Sequence, residues 1–244
     1  MLTIAGVDGL PEIERGADLA RLVHERHPVL DGDVVVVTSK VVSKAEGCTV
    51  ELDEVDPSPF AVRWAAAWDK DPRVVEVVLR ESRRIVRQIG PVLITETHHG
   101  FVCANAGVDQ SSSGAHGRVV VLPSDPDASA RTIRARFARL GGNVAVVISD
   151  TFGRVWRKGL TDVAIGCAGI KPIADLRGAL DSFGRPLEVT EVCIVDELAG
   201  AAELVMGKAT GTCAAVVRGV DAEWLGRGDV VSEVVRAAED DLFR

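Results

Sequence analysis

Short aliphatic runs alternate with helical patterns along this chain of 244 residues. The runs are rich in valine, which is typical of strands buried on both faces of a sheet. Five such runs predict strands, at residues 33–38, 91–96, 118–122, 143–149 and 213–218. We therefore expect a largely buried sheet at the centre of the fold.

Helices are predicted from start signals and from amphipathic periodicity. An aspartate followed by a proline, at Asp71 and at Asp125, provides an N-terminal cap ahead of helices over 73–88 and 127–140. Amphipathic patterns predict two further helices, over 16–27 and 191–207. Strands and helices mixed in this way predict an α/β or α+β fold with a mixed sheet.

The chain contains no linker rich in serine or glycine, and the acidic stretch 53–59 with its prolines is the best internal boundary. We interpret that stretch as a loop within one unit, residues 1–244, with two interleaved subdomains as the alternative. No apolar run approaches the ~20 residues of a membrane helix, and the N-terminus lacks the pattern of a signal peptide. The sequence therefore predicts a cytoplasmic protein without a membrane partner.

Charge and composition narrow the classes of partner. The formal net charge of −8 disfavours binding to a nucleic-acid backbone. Aromatic residues make up only 4% of the chain, so stacking platforms for bases would be hard to build. The five cysteines are widely spread with no Cys-x-x-Cys pair, which favours reduced, mostly buried thiols.

Two aspartates follow predicted strands at points where a metal could bind. Asp150 and Thr151 come directly after the strand 143–149, where α/β proteins place ligands beyond the carboxyl ends of strands. Asp109 lies in a polar loop over 105–117 that also carries three consecutive serines. These groups suit Mg²⁺ or Mn²⁺ completed by phosphate oxygens and water. The alternatives are an aspartate that caps a turn and a flexible surface loop.

Basic side chains lie close to these acids in sequence. Lys40 and Lys44 are four residues apart after the first predicted strand, so on a helical turn they would share one face and could engage a polyphosphate. A solvated lysine pair is the alternative. The basic segment 154–159 could neutralise a transferred phosphoryl group. Its alternative is an exposed turn with Trp156 tucked beneath it.

Familiar catalytic motifs are absent from the sequence. Gly207 and Lys208 lie in a Gly/Thr-rich junction, but the spacing does not match a P-loop. There is no Gly-x-Ser-x-Gly, no Gly-x-Gly-x-x-Gly and no His-Glu-x-x-His string. Residue patterns alone therefore reach only a metal-dependent phosphate-ligand site.

Taken together and in order, these segments resemble the coenzyme F420-0:L-glutamate ligases, the γ-glutamyl ligases that complete the deazaflavin cofactor F420. The resemblance runs from about residue 4 to the C-terminus. It is carried by five stretches, at residues 9–13, 32–47, 99–109, 149–157 and 197–207, which include the strings Gly-Leu-Pro-Glu-Ile, Thr-Ser-Lys-Val-Val-Ser-Lys-Ala-Glu-Gly, Asn-Ala-Gly-Val-Asp, Ser-Asp-Thr-Phe-Gly-Arg and Glu-Leu-Ala-Gly-Ala-Ala-Glu-Leu-Val-Met-Gly.

The resemblance implies a mixed α/β fold peculiar to that family and an intertwined homodimer. It implies a GTP-dependent ligase that adds L-glutamate to F420-0, and then a γ-linked glutamate to F420-1, through an acyl phosphate. Mg²⁺ or Mn²⁺ would be required, and K⁺ is a further candidate cofactor. A same-family ligase acting on a different carboxylate and amine, a metal-dependent phosphohydrolase and a non-catalytic nucleotide-binding module are the alternatives.

Site residues follow from the resemblance position by position. The catalytic residues implied are Asp150, Asp109 and Lys44, and the metal ligands are Asp109, Asp150 and Thr151. The nucleotide contacts implied are Leu10, Pro11, Glu12, Ile13, Ser39, Lys40, Lys44, Ser112, Met206, Gly207, Lys208, Ala209, Thr210, Gly211, Thr212 and Cys213.

Two positions depart from the family pattern. Many relatives have asparagine where this chain has Ser112, and glutamine where it has Lys208. A protonated lysine cannot ligate a metal. The two departures leave the number of metal ions and the nucleotide preference open.

Overall fold

Strands and helices alternate along the whole chain, as the sequence predicts. The computed structural model describes residues 1–110 and 117–241, in which twelve strands and seven α-helices occur. In chain order they are β1 Thr3–Gly6, α1 Leu19–Arg26, β2 Val34–Thr38, α2 Ser39–Glu46, β3 Thr49–Glu51, α3 Pro59–Trp68, α4 Pro72–Arg80, β4 Ser82–Ile89, β5 Val92–Thr97, β6 Val102–Ala104, β7 Arg118–Val120, α5 Pro126–Arg139, β8 Ala145–Arg154, β9 Arg157–Ala168, β10 Ile173–Asp175, β11 Glu191–Cys193, α6 Ile194–Met206, β12 Ala214–Arg218 and α7 Val230–Glu233.

The central sheet has five strands in the order β1-β12-β2-β8-β9. β2 and β8 are parallel, with Val34 opposite Ala145 and Thr38 opposite Ser149, and the other neighbours are antiparallel. The four valines of β2 are buried, in agreement with the aliphatic pattern of that strand. Helices α5 and α6 pack against this sheet and α1 packs against α5, and together they form the main hydrophobic core.

A second group of elements lies between α2 and α5 in the sequence. It contains the antiparallel sheet β4-β5-β6, the pair β3-β7 and the helices α3 and α4. Two small hydrophobic clusters fill it, one around Trp64 and Leu93 and the other around Leu52 and Val119. The fold is thus mixed α/β with several sheets, which confirms the predicted α+β character.

The predicted helix over 73–88 is wrong in its second half. The helix begins at Pro72 with Asp71 as its cap but ends at Arg80, and residues 82–89 form β4. β4 and β5 form a hairpin whose turn uses Gly90 at φ 54°, a conformation that glycine adopts without strain. The predicted helix over 191–207 is likewise shortened, because its first three residues form β11.

The strand that carries Asp150 is longer than the predicted 143–149. β8 continues to Arg154, and a hairpin leads into β9. The basic segment 154–159 forms the tip of that hairpin, where Arg154 donates to the carbonyl of Lys158 at 2.7 Å. Trp156 is not tucked beneath the turn, because 79% of it is exposed.

A buried aspartate joins the end of the chain to the sheet. Asp127, in the first turn of α5, accepts hydrogen bonds from the backbone nitrogens of Cys167 at 2.8 Å, Val230 at 2.9 Å and Val231 at 3.1 Å. A buried carboxylate needs such donors, since an unsatisfied one would be strongly destabilising. This contact fixes α5 and α7 against β9.

Two sequence-based exclusions can be compared with the structure. All five cysteines are free thiols, as expected from their spacing. Among residues 1–110 and 117–241, no helix has both the length and the apolar character needed to cross a lipid bilayer.

Helix α5 approaches β9 so closely that one position tolerates only glycine. A Cβ atom on Gly166 would lie 2.4 Å from the backbone carbonyl carbon of Pro126. We expect Gly166→Ala to lower the free energy of unfolding by about 2 kcal/mol, because helix and strand must separate. Gly153→Ala, on β8 with nothing within 4 Å of the new Cβ, is the matched control and should change it by less than about 0.5 kcal/mol. Urea unfolding followed by circular dichroism measures both, and equal changes in the two variants would contradict the packing argument.

Candidate functional site

The carboxyl end of β2 lies beside the middle of β8, and polar groups of both strands meet at this edge of the parallel pair. Their parallel pairing brings Thr38 opposite Ser149. The next residue in each case has a polar side chain. Ser39 begins α2, and Asp150 continues β8. The Ser39 hydroxyl donates to Asp150 Oδ1 at 3.0 Å. This edge is the place where open α/β sheets bind ligands.

Asp150 is a carboxylate in an environment that opposes its charge. Burial, together with the nearby carboxylates of Asp162 and Asp109, raises its pKa to about 6. Hydrogen bonds from the Thr151 backbone and from Ser39 act in the opposite direction but do not cancel these effects. A buried carboxylate with acidic neighbours is stabilised by a proton or by a bound cation.

Asp109 is held at the same edge by a short antiparallel bridge. Its backbone nitrogen and oxygen each bond to Val120 at 2.9 Å. Its side chain forms an ion pair with Lys40 of α2, with Lys40 Nζ 2.5 Å from Asp109 Oδ2. The structure therefore brings together three of the predicted residues, Asp109, Asp150 and Lys40, around the start of α2.

Asp162 of β9 lies opposite Thr151 of β8 and organises a second set of polar contacts. It accepts hydrogen bonds from Ser149 Oγ at 3.1 Å and from Thr151 Oγ1 at 2.7 Å. Lys208 Nζ lies 2.6 Å from Asp162 Oδ1 and 2.8 Å from Oε1 of Glu203 in α6. We call Thr151, Asp162, Glu203 and Lys208 the acid–lysine cluster.

Asp162 and Glu203 are site residues that the sequence did not predict. Neither is part of a polar string, and each reaches the site only through tertiary structure. Asp162 is placed by the register of the β8–β9 pair, and Glu203 accepts a hydrogen bond from the Asp162 backbone nitrogen at 2.9 Å. The only signal in the sequence was for Asp162, an aspartate that directly precedes the apolar run 163–168.

Burial would disfavour the charged form of Lys208, but its hydrogen bonds to Asp162 and Glu203 outweigh this effect and raise its pKa. The lysine therefore remains an ammonium beside the two acids. Position 208 is the second of the two departures from the family pattern, and the structure gives it definite partners.

The predicted nucleotide contacts near the N-terminus lie against α2. Lys44 Nζ pairs with Glu12 Oε1 at 2.5 Å, and Ile13 is buried in the main core while Leu10 packs against it. Pro11 is exposed. Glu12, Ile13 and Lys44 line an open cavity of about 680 Å³ that also reaches Gly47 and Arg118. A cavity of this volume is in the range of small-molecule sites.

The segment from Met206 to Cys213 connects α6 to β12 and lies beside the same edge. Thr210 Oγ1 donates to the Met206 carbonyl, and Thr212 Oγ1 donates to Asp8 Oδ1 at 2.6 Å. The Cys213 carbonyl accepts from the Thr38 backbone nitrogen at 3.0 Å, immediately before α2. The residues between are exposed to solvent, namely Gly207, Lys208, Ala209, Thr210 and Gly211.

Most of the predicted site residues thus converge on the edge formed by β2, β8 and α2. Ser112 lies outside the described residues. Thr151, predicted as a metal ligand, directs its hydroxyl to Asp162 within the acid–lysine cluster. Within 1–110 and 117–241, no group of three or more His, Cys, Asp or Glu side chains has the arrangement of a metal centre.

Asp109 and Asp150 nevertheless fit one hard divalent cation. Both offer carboxylate oxygens, they repel each other's charge, and the burial of Asp150 leaves that charge poorly solvated. A cation that bridges phosphate oxygens needs only one or two protein carboxylates, because water and phosphate complete its shell. The site can therefore hold a metal–nucleotide complex with Lys40 and Lys44 beside it.

Comparison with known proteins shows the family of this chain. Residues 9–219 match the family described as F420-0:Gamma-glutamyl ligase. Proteins named coenzyme F420:L-glutamate ligase are similar over nearly their whole length. The protein from Methanopyrus kandleri is 48% identical over 96% of this chain and 94% of its own length, and that from Methanothermobacter thermautotrophicus is 43% identical over 100% and 99%. The protein from Methanocaldococcus jannaschii is 42% identical over 93% and 90%.

The unfavourable charge of Asp150 predicts a stability effect that depends on pH. Its folded pKa, about 6, lies above the ordinary value of 3.8, so between these values the folded chain binds more protons than the unfolded chain, and stability contributed by Asp150 falls as pH rises. We expect metal-free Asp150→Asn to be more stable than the parent at pH 7.5, by about 1–3 kcal/mol.

The difference should shrink toward zero near pH 4, where Asp150 is protonated in the folded chain. Denaturant unfolding of both proteins in EDTA across pH 4–8 measures it. Asp53→Asn, at an exposed aspartate paired with Arg73, is the control and should show no such gain at pH 7.5. A parent that is more stable than Asp150→Asn at pH 7.5 would contradict the electrostatic assignment.

Proposed function

The chain belongs to the F420-0:gamma-glutamyl ligase family, and we propose that it adds L-glutamate to coenzyme F420-0 in a GTP-dependent reaction, followed by a γ-linked glutamate. The observation that carries this proposal is the pair Asp109 and Asp150 at one buried edge, within a chain that matches named F420:L-glutamate ligases almost end to end. One largely buried carboxylate, Asp150, and one partly exposed carboxylate, Asp109, beside two lysines suit a metal-bound nucleoside triphosphate.

The reaction needs an activated carboxylate, because an ionised carboxylate resists attack by an amine. In the proposed sequence the terminal carboxylate of the F420-0 lactyl group takes the γ-phosphoryl group of GTP, and GDP leaves. The α-amine of L-glutamate then attacks the acyl carbon, the C–O bond to phosphate breaks, and phosphate leaves as the amine loses a proton. Splitting the reaction in this way replaces one difficult step by two easier ones.

The residues at the sheet edge have distinct roles in this proposal. Asp109 and Asp150 would hold Mg²⁺ or Mn²⁺, which would neutralise charge at the phosphate oxygens when bound. Lys40 and Lys44 bind the triphosphate. Each lysine is paired with a carboxylate, Asp109 or Glu12, in the structure described here. Phosphate oxygens would replace or share those carboxylates as partners of the ammonium groups.

The cavity beside α2 provides space for a substrate. Its lining contains three basic side chains, Arg15, Lys44 and Arg118, which could bind the phosphodiester and carboxylates of the substrate, together with three glutamates, Glu12, Glu14 and Glu51. Arg118 also contacts Glu51, which keeps its guanidinium at the rim. We propose that the nucleotide and the anionic end of F420-0 approach the metal from this side.

An intertwined homodimer is part of the same proposal. The tip of the β8–β9 hairpin exposes Val155, Trp156 and Leu160 to 81%, 79% and 65%. Three large apolar side chains on one projecting hairpin form a surface that soluble monomers rarely expose. We propose that this hairpin packs against a second copy of the chain.

The activity is tested with authentic F420-0, L-glutamate, GTP and Mg²⁺ or Mn²⁺ in a buffer containing K⁺, with mass spectrometry of the products. We expect masses that correspond to one added glutamate or more, with GDP formed in equal amount. Asp150→Asn should reduce product formation at least 100-fold, because the metal loses a carboxylate. The Asp53→Asn variant should retain the parental rate.

Other outcomes of this assay identify the alternatives. GDP and phosphate without any amide product would indicate a phosphohydrolase. Product with another carboxylate or amine from a substrate panel, and none with F420-0 and glutamate, would indicate a relative with different acceptors. Tight GTP binding without turnover would indicate a binding module.

The dimer is tested by sedimentation velocity. Val155→Ser combined with Trp156→Ser should weaken dimerisation at least tenfold, because it removes the two most exposed apolar side chains of the hairpin. Leu30→Ser, at an exposed leucine in the loop before β2, is the control and should leave the dimer intact. A parent that sediments as a monomer at all concentrations would contradict the dimer.

A further inference from the structure

The ammonium group of Lys208 is surrounded by oxygen atoms in the acid–lysine cluster. Its Nζ lies 2.5 Å from Thr151 Oγ1, 2.6 Å from Asp162 Oδ1 and 2.8 Å from Glu203 Oε1. An ammonium has three N–H donors, so these contacts use its full hydrogen-bonding capacity. Two of the three oxygens belong to carboxylates, which makes the contacts charge-assisted.

The position of Lys208 on the chain favours a cation at this point. It follows the last turn of α6, where the Gly207 backbone nitrogen bonds to the Glu203 carbonyl at 2.8 Å. The carboxyl end of a helix carries partial negative charge and stabilises a nearby ammonium. Glu203 itself lies in that last turn, so helix end and side chain act in the same direction.

Asp162 requires a permanent positive partner. Its side chain is only 2% exposed, and its oxygens accept from Ser149, Thr151 and Lys208. Removing one partner of a buried ion pair leaves an uncompensated charge, which is strongly destabilising. A neutral residue at position 208 would therefore leave Asp162 and Glu203 in need of another cation.

We propose that Lys208 is the resident cation of the acid–lysine cluster, so that this chain binds a divalent metal at Asp109 and Asp150 and none at Thr151, Asp162 and Glu203. A metal ion at those oxygens would have to share them with the ammonium and would be repelled by it. The predicted role of Thr151 as a metal ligand is replaced by a role as a hydrogen-bond partner of Lys208 and Asp162.

The ammonium also places a fixed positive charge beside the metal-binding edge. Thr151 is the neighbour of Asp150 on β8, so the charge lies one residue along the strand from the proposed metal. A contact of this charge with the phosphates of the nucleotide rests on the proposed function. The presence of Lys208 as the cation of the acid–lysine cluster does not.

Counting bound Mn²⁺ tests the proposal without any substrate. Full-length protein stripped with EDTA is titrated with Mn²⁺ at pH 7.5, and free Mn²⁺ is measured by its electron paramagnetic resonance signal. We expect one Mn²⁺ per chain for the parent. We expect two Mn²⁺ per chain for Lys208→Gln, with the second site at least tenfold tighter than any second site of the parent. The reason is that the substitution frees the carboxylates of Asp162 and Glu203 and adds an amide oxygen as metal ligands.

Lys208→Arg is the matched control, since it changes the side chain but retains the positive charge. It should bind one Mn²⁺, as the parent does. Thermal melting adds a second measurement. Metal-free Lys208→Gln should melt below Lys208→Arg, and Mn²⁺ should raise its melting temperature by more than it raises that of the arginine variant.

Two Mn²⁺ ions of similar affinity in the parent would overturn the proposal, and so would a single ion in folded Lys208→Gln. If Lys208→Gln does not fold, the numbers of Mn²⁺ ions bound by the parent and by Lys208→Arg still test the proposal, because two ions of similar affinity in either protein would overturn it. A parent that binds one Mn²⁺ but forms no glutamylated product contradicts only the proposed function. A parent that forms product and binds two contradicts only the role of Lys208.

Discussion

The parallel pairing of β2 with β8 determines where this chain can place functional groups. Parallel neighbours require a long crossover, and here it contains α2, the elements from β3 to β7, and α5. The register that sets Thr38 opposite Ser149 also fixes Ser39 and Asp150 one residue later. β9 then extends the sheet and brings Asp162 opposite Thr151. A shift of one residue in either pairing would turn these side chains to the opposite face of the sheet.

That edge collects more negative charge than the surrounding structure can solvate. The raised pKa of Asp150 is the result, with burial as its main cause and Asp162 and Asp109 as contributors. The arrangement lowers the stability of the metal-free fold, and packing elsewhere must offset it.

Asp127 and Asp33 are examples of buried carboxylates in the opposite situation. Asp127 accepts three backbone hydrogen bonds. Asp33 accepts hydrogen bonds from Nε and Nη2 of Arg218, at 2.8 and 2.7 Å. Structural carboxylates here are compensated within the chain, whereas Asp150 remains available to a ligand.

The sequence predicts local structure well where one signal acts alone. Valine-rich strands and Asp-Pro helix starts were confirmed. Asp150 lies beside the carboxyl end of β2, but it lies within β8, which continues to Arg154, and not directly after that strand as predicted. The helix over 73–88 was wrong because its second half forms a hairpin with β5, and that pairing depends on a partner strand. Asp162 and Glu203 were missed for the same reason, since register and helix docking place them. The departure at Lys208 was visible in the sequence, but its three oxygen partners come from β8, β9 and α6, which no spacing along the chain relates.

The three lysines of the site differ in how firmly the structure holds them. Glu12, the partner of Lys44, is 74% exposed, and Asp109, the partner of Lys40, is 28% exposed, so water or phosphate can reach both carboxylates. A lysine whose carboxylate partner is partly accessible to water is held less firmly than one paired with a buried carboxylate, so these two ammonium groups can turn to a phosphate at smaller cost. Asp162 is 2% exposed, and water cannot replace Lys208 as its partner. Lys40 and Lys44 are therefore suited to follow a nucleotide as it binds and leaves, whereas Lys208 is suited to provide a charge that stays in place throughout.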